Sequence, residues 1–66
     1  MKVLVNGTAE ELADDATVAE LVARHVESPK GVAVAVNAEV VPKSTWPQHR
    51  LADGDRVEVL KAAQGG

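Results

Sequence analysis

The end of the chain carries the residues best suited to chemistry. Gln64-Gly65-Gly66 closes the sequence with two residues that have no side chain and a free carboxylate. Such a segment can enter a narrow opening, and nothing shields the carbonyl carbon of Gly66. This end is therefore suited to chemical activation by another protein, with Gly65 providing clearance. A glycine-rich tail without function is the alternative that the tail alone leaves open.

Composition limits what the rest of the chain can do. With 66 residues, 45% of them hydrophobic, the sequence predicts one domain with a small core and no room for a deep enzyme cleft. Trp46 is the only aromatic residue, so the core must be built from Val, Leu and Ala. The absence of cysteine excludes disulfides, thiolate catalysis and cysteine-based metal sites.

Charge and hydropathy exclude two classes of partner. A net charge of −3 argues against nucleic acid, because phosphate binding needs a cationic surface. No segment approaches the roughly 20 apolar residues of a membrane span, so no membrane association is expected. The first residues lack the apolar length of a signal peptide, which predicts a cytoplasmic location.

The first half of the chain predicts a hairpin followed by a helix. Strands are expected over 2–5 and 8–12, joined by Asn6-Gly7, two residues that tolerate positive φ. Thr17 and Glu20 have the spacing of a capping box. Helical periodicity of apolar residues, with Pro29 as a stop, then predicts a helix over 18–26.

The second half predicts three more strands. Alternation favours strands over 31–36, 39–41 and 56–60, with a helical turn over 43–46 and a tight turn at Asp53-Gly54-Asp55. The order predicts an α+β fold of the β-grasp type, with one helix on one face of a mixed sheet. The β-grasp domain spans residues 1–60, and 61–66 form a flexible diglycine tail.

Alternation along the strands divides the apolar residues between the two faces. The inward set comprises Val3, Val5, Leu12, Val18, Leu21, Val22, Val34, Val57 and Val59. Leu4 and Leu60 point to the opposite face, where they form a candidate docking patch, although isolated exposed leucines are ordinary. Lys61 and Arg56 border the tail and are candidates for steering the chain onto acidic partners.

Other side chains that could act chemically have a structural explanation. His25 and His49 lack nearby acidic or thiol ligands, so no metal site is predicted. The paired aspartates lie in turns, where Asp forms local hydrogen bonds, and Trp46 is expected to cap the edge of the core. No nucleophile motif or phosphate-binding loop is present, so we expect no catalytic residue and no cofactor bound by this chain.

Several segments, in this order and at this length, resemble the ThiS family of thiamine-biosynthesis sulfur carriers, which have a ubiquitin-like fold. The resemblance covers nearly the whole chain and is carried by Val3-Leu4-Val5-Asn6-Gly7, Thr17-Val18-Ala19-Glu20-Leu21, Val34-Ala35-Val36-Asn37, Val40-Val41-Pro42-Lys43-Ser44-Thr45-Trp46, Leu51-Ala52-Asp53-Gly54-Asp55-Arg56-Val57-Glu58-Val59 and Gly65-Gly66. The chain departs from the family at Ala38, where a glycine is common, and at Ala62-Ala63, where larger apolar residues are frequent.

The resemblance implies a protein that is a substrate rather than an enzyme. A ThiF-type activating enzyme would bind ATP and adenylate the carboxylate of Gly66. Sulfur from a donor protein would then replace the nucleotide, and the resulting thiocarboxylate would supply thiazole synthase.

Other functions remain open at this point. The same chemistry could serve molybdopterin or another sulfur-containing metabolite. A ubiquitin-like modifier would instead join Gly66 to a lysine, and a passive interaction module would leave the tail inert.

Overall fold

The computed structural model describes residues 1–62. Five strands, one α-helix and one 3₁₀ helix follow one another in these residues. Their bounds are β1 Lys2–Val5, β2 Thr8–Glu11, α1 Val18–His25, β3 Val32–Val36, β4 Glu39–Val40, the 3₁₀ helix Lys43–Thr45 and β5 Arg56–Lys61. Each bound lies within one residue of its predicted position.

The strands form one mixed sheet with the order β2-β1-β5-β3-β4. The central pair, β1 and β5, is parallel, whereas the β1–β2, β3–β4 and β3–β5 pairs are antiparallel. Parallel neighbours need a crossover, and α1 lies in the connection from β2 to β3. This arrangement confirms the predicted β-grasp fold.

The helix begins with the predicted capping box. The Thr17 backbone N–H donates to Glu20 Oε1 at 2.8 Å, and the Glu20 N–H donates to Thr17 Oγ1 at 3.2 Å. These bonds satisfy donors that have no partner inside the helix. The helix ends at His25, one residue earlier than predicted, because Val26 adopts an extended conformation ahead of Pro29.

Both hairpins turn through residues with positive φ. Asn6 and Gly7 have φ values of 50° and 86°, which are suited to the two-residue turn between β1 and β2. Asn37 and Ala38 have φ values of 51° and 71° between β3 and β4. Ala38 therefore adopts a backbone conformation that glycine accepts more easily.

The core lies between α1 and one face of the sheet. All nine residues predicted to point inward are buried. The structure adds Ala16, Val32, Val36, Val41, Trp46 and Leu51 to the same cluster. Trp46 is 4% exposed, and its indole N–H donates to the Val41 carbonyl at 2.9 Å, so it caps the core edge as predicted.

The last strand extends one residue further than predicted. Lys61, which the sequence predicts to lie in the tail, pairs with Val32 as the final residue of β5. The Ala62 N–H then donates to the Gly31 carbonyl at 2.6 Å. The ladder continues because β3 still offers backbone partners opposite these residues, so the start of the tail at residue 61 was wrong.

Candidate functional site

The predicted reactive end lies outside the described residues. Gly66 and Gly65, together with residues 63 and 64, are not covered by the structure, and their chemical role stays a prediction. The described chain leads to Ala62, which is bonded to Gly31 beside the first residue of β3.

The side of the sheet opposite α1 carries an exposed set of side chains. We call this set the open face; it comprises the exposed Lys2, Leu4, Ala33, Val40, Arg56, Glu58 and Leu60, together with the half-buried Ala35. The strand burial patterns alternate between these residues and the buried valines. Leu4 is 37% exposed, Leu60 60% and Val40 79%. Large apolar side chains thus remain accessible where no helix covers the sheet.

The structure brings together three of the four predicted docking residues and separates the fourth. Leu4 lies beside Arg56 across the parallel β1–β5 pair, and Leu60 lies further along β5 on the same face. Lys61 pairs with Val32, whose side chain is buried on the α1 side. Because side chains alternate along a strand, Lys61 points away from the open face.

Sequence reasoning missed Val40 as a member of the open face. It lies opposite Ala35 in the short β3–β4 pair, so both side chains point to the same side. The register of the Asn37–Ala38 hairpin was the available signal.

Two asparagine side chains tie β5 to the neighbouring hairpins. The amide of Asn6 donates to the Val59 carbonyl at 3.1 Å and accepts from the Val59 N–H at 2.9 Å. Asn37 donates to Asp55 at 2.9 Å and accepts from the Arg56 N–H at 3.0 Å. These bonds hold the start and the middle of β5, the strand that leads toward the C-terminus. The sequence indicated only the turn role of the two asparagines.

Among the histidine and aspartate side chains that could act chemically, His25, Asp53 and Asp55 make structural contacts. The expectation that His25 has no acidic neighbour was wrong: its Nε2 lies 2.7 Å from Glu10 Oε2, because the fold packs α1 against β2. Asp53 accepts from the Lys2 N–H at 2.7 Å, and Asp55 from the Ala52 N–H at 2.8 Å. In residues 1–62 no three acidic, histidine or cysteine side chains are grouped to hold a metal. No helix in that range has the length and apolarity to cross a membrane.

The α-amino group of Met1 is held by acidic partners. It donates to the Leu12 carbonyl at 2.8 Å and to Asp14 Oδ1 at 3.1 Å, and it lies 3.3 Å from Glu11 Oε2. The hydrogen bond with Asp14 is the largest cause that raises the pKa of this amine above 8.0. Burial acts in the opposite direction, and Glu11 reinforces Asp14.

The fold and its surface define a class of protein: a small β-grasp domain with one apolar open face and no metal-binding cluster in its described part. The ThiS family model matches residues 3–66. The chain belongs to the ThiS family.

Individual relatives agree with this assignment. The chain is 35% identical to the sulfur carrier protein ThiS of Escherichia coli (strain K12) over 66 residues, which covers both chains completely. It is also 35% identical to a thiazole synthase of Paramagnetospirillum magneticum, where the match covers all of this chain and 20% of that protein.

Solved structures give the same result. The crystal structure of the thiamine biosynthesis protein (ThiS) from Geobacter metallireducens is 33% identical and covers 100% of both chains, with a TM-score of 0.83. A solution NMR structure of a thiamine biosynthesis protein from the same organism has a TM-score of 0.78 at 33% identity. That match covers all of this chain and 88% of the other.

Proposed function

We propose that this protein is a sulfur carrier of thiamine biosynthesis whose Gly66 carboxylate becomes a thiocarboxylate. The observation that carries the proposal is the full-length similarity to the Escherichia coli sulfur carrier, in a chain whose sequence ends in Gly65-Gly66. The protein is a substrate of other enzymes in this account.

The chemistry proceeds in two balanced steps. An oxygen of the Gly66 carboxylate attacks the α-phosphorus of ATP, and pyrophosphate leaves. A hydrosulfide-level sulfur nucleophile then attacks the carbonyl carbon, AMP leaves with the bonding electron pair, and loss of a proton gives the thiocarboxylate. Activation is necessary because a carboxylate is itself a poor electrophile. The cysteine-free sequence leaves the terminal carboxyl as the obvious position for sulfur.

The partners supply the groups that this chain lacks. A ThiF-type adenylating enzyme binds the ATP and shields the acyl-adenylate from water, which requires a tail able to enter a closed site. A sulfur donor protein provides the sulfur, and thiazole synthase consumes it. The thiazole synthase relative that contains a segment similar to this chain supports the last pairing.

The open face is the surface that we propose partners contact. Leu4 and Leu60 supply exposed apolar area at two points along the sheet, with Arg56 adjacent to Leu4. Val40 extends the apolar surface toward the β4 edge. A contact here leaves the core on the other side of the sheet undisturbed.

Mass spectrometry of the intact protein tests the proposed chemistry. Incubation with ATP, the adenylating enzyme of the host and sodium sulfide is expected to replace one oxygen by sulfur. Pyrophosphate release measured without sulfide follows the activation step alone. Deletion of Gly66 is expected to abolish both signals while Trp46 fluorescence reports an unchanged fold.

The other functions predict different products. Attachment of the chain to lysines of other proteins would replace the carrier proposal with that of a modifier. An unmodified chain with every activating enzyme of the host would overturn it. Sulfur transfer to thiazole synthase would identify the thiamine pathway, and transfer to a molybdopterin synthase would identify the molybdopterin pathway. The cytoplasmic location stays a prediction.

A further inference from the structure

Three lysines gather at the end of the domain from which the C-terminal residues continue. Lys61 is the last residue of β5, and Lys30 lines the same surface depression as Lys61, Gly31 and Ala62. Lys43 reaches this region from the 3₁₀ helix, because its Nζ donates to the Pro29 carbonyl at 2.9 Å. We call Lys30, Lys43 and Lys61 the basic end.

The charges of the basic end are not neutralised by ion pairs within the described domain. Over residues 1–62, the ion pairs within 4.0 Å involve the Met1 amine, Arg24 and His25 as cations. None of them includes a lysine of the basic end. Glu27 lines the depression beside Lys30 and Lys61 without pairing with either.

The opposite end of the sheet has a different electrostatic character. β1 and β5 are parallel, so both begin there, close to several carboxylates. Glu11 and Asp14 hold the Met1 amine, and Asp53 accepts from the Lys2 N–H. The chain as a whole has a net charge of −3. The basic end therefore opposes the overall sign of the protein, whereas at the opposite end Lys2, Arg50 and Arg56 lie among carboxylates.

Covalent geometry keeps the basic end close to any site that receives Gly66. Gly66 is the fourth residue after Ala62, and an extended chain advances at most about 3.5 Å per residue, or roughly 14 Å in total. An enzyme that encloses Gly66 must therefore approach the surface around Ala62. Lys30 and Lys61 lie at that surface and would face the rim of the enzyme's opening.

We propose that the basic end docks on an acidic protein surface around the opening of the adenylating enzyme and orients this chain tail first. The inference rests on the proposed function, because it assumes that such an enzyme receives Gly66. The sequence grouped Lys61 with Arg56 as candidate steering residues. The basic end replaces that group, because Arg56 begins β5 and Lys61 ends it. Opposite charges steer association and raise its rate constant by about 10-fold or more at low salt.

The test compares two double variants with the same change in net charge. Lys30→Gln with Lys61→Gln removes two charges of the basic end. Arg24→Gln with Arg50→Gln removes two charges outside both the basic end and the open face, one on α1 beside Glu10 and one beside the N-cap residue Thr17. Lys43 stays unchanged, because it lies 5.7 Å from the Trp46 ring centroid and its loss would also alter packing.

Association with immobilised adenylating enzyme is measured by biolayer interferometry across a salt series. At low ionic strength the basic-end variant is expected to associate about 10-fold more slowly than the wild type, with a shallower salt dependence. The difference should vanish near 1 M salt, where the screening length is about 3 Å. The control variant is expected to retain most of the wild-type rate.

Equal association rates for the two variants at low salt would overturn the docking inference. Pyrophosphate release at saturating carrier concentration distinguishes this failure from failure of the proposed function. It is expected to stay at the wild-type level in both variants. If the wild-type chain itself gives no pyrophosphate release, the adenylation on which the inference rests is contradicted.

Discussion

The two faces of the sheet use similar apolar residues for different purposes. The face beneath α1 buries Val3, Val5, Val34, Val57 and Val59 in one cluster with the helix. The open face leaves Leu4, Val40 and Leu60 in contact with solvent. Burial of apolar area stabilises the fold on the first face, whereas the same kind of residue on the second is available to a partner. Residue type alone therefore does not distinguish a residue that stabilises the fold from one that contacts a partner.

The largest contrast is expected from one substitution made on each side of the sheet. Leu21 of α1 is 0% exposed, whereas Leu60 is 60% exposed. Leu21→Ala leaves a cavity and is expected to lower the free energy of unfolding by about 3 kcal/mol. Leu60→Ala is expected to change it by less than about 0.5 kcal/mol. Denaturant unfolding followed by Trp46 fluorescence measures both.

Comparable losses in the two variants would show that the open face also contributes to the core. A domain of this size has modest stability, so Leu21→Ala is best measured with a stabilising osmolyte present in both samples. Leu60→Ala is the matched control because the same atoms are removed.

A smaller change in the free energy of unfolding, of opposite sign, is expected for a substitution of Ala38 at the rim of the open face. Ala38 lies beside Leu4 and Arg56 in a surface depression and has a φ of 71°. Ala38→Gly relieves this conformation and is expected to raise the free energy of unfolding by about 1 kcal/mol. The reverse change, Gly7→Ala at a φ of 86°, should destabilise the β1–β2 turn. Thermal unfolding of the pair compares the two hairpins directly, and a destabilised Ala38→Gly variant would contradict the strain at this position.

The smallest predicted effect is a pH dependence at the edge of the sheet. The hydrogen bond with Asp14 raises the pKa of the Met1 amine above 8.0. The charged amine therefore favours the folded state, and this contribution is complete below about pH 8. It is lost as the pH rises through the folded-state pKa. The free energy of unfolding should therefore decline as the pH rises above about 8, before the lysines lose their charge.

Asp14→Asn is the matched variant for this prediction, because it keeps the side-chain size and removes the charge. Its unfolding free energy should depend less on pH over the same range. The same slope in the variant and the wild type would show that Asp14 does not hold the amine in solution.

Local patterns predicted the covered side of the sheet well. The capping box at Thr17 and Glu20 positions α1, and the alternating valines of β3 identify the buried face. Both signals depend on residues close together in the sequence. The inward set was confirmed for that reason.

The open face and the basic end depend on pairing between distant residues. Val40 belongs to the open face only through its register with Ala35, and Lys61 belongs to β5 only through its pairing with Val32. Asn6 bonds to Val59, 53 residues away, and nothing in the local sequence indicates that partner. The sequence therefore does not determine the register between distant strands. Gly66, with its predicted chemistry, lies outside the described residues.

The central claim is that Gly66 carries the sulfur while the domain behind it positions the tail for partner enzymes. The most direct test is a reaction with ATP, adenylating enzyme and sodium sulfide, followed by denaturation and trypsin digestion. Cleavage after Lys61 releases the peptide Ala62-Ala63-Gln64-Gly65-Gly66. We expect one oxygen to be replaced by sulfur in this peptide, at Gly66. An unmodified peptide, or sulfur found elsewhere in the chain, would contradict it.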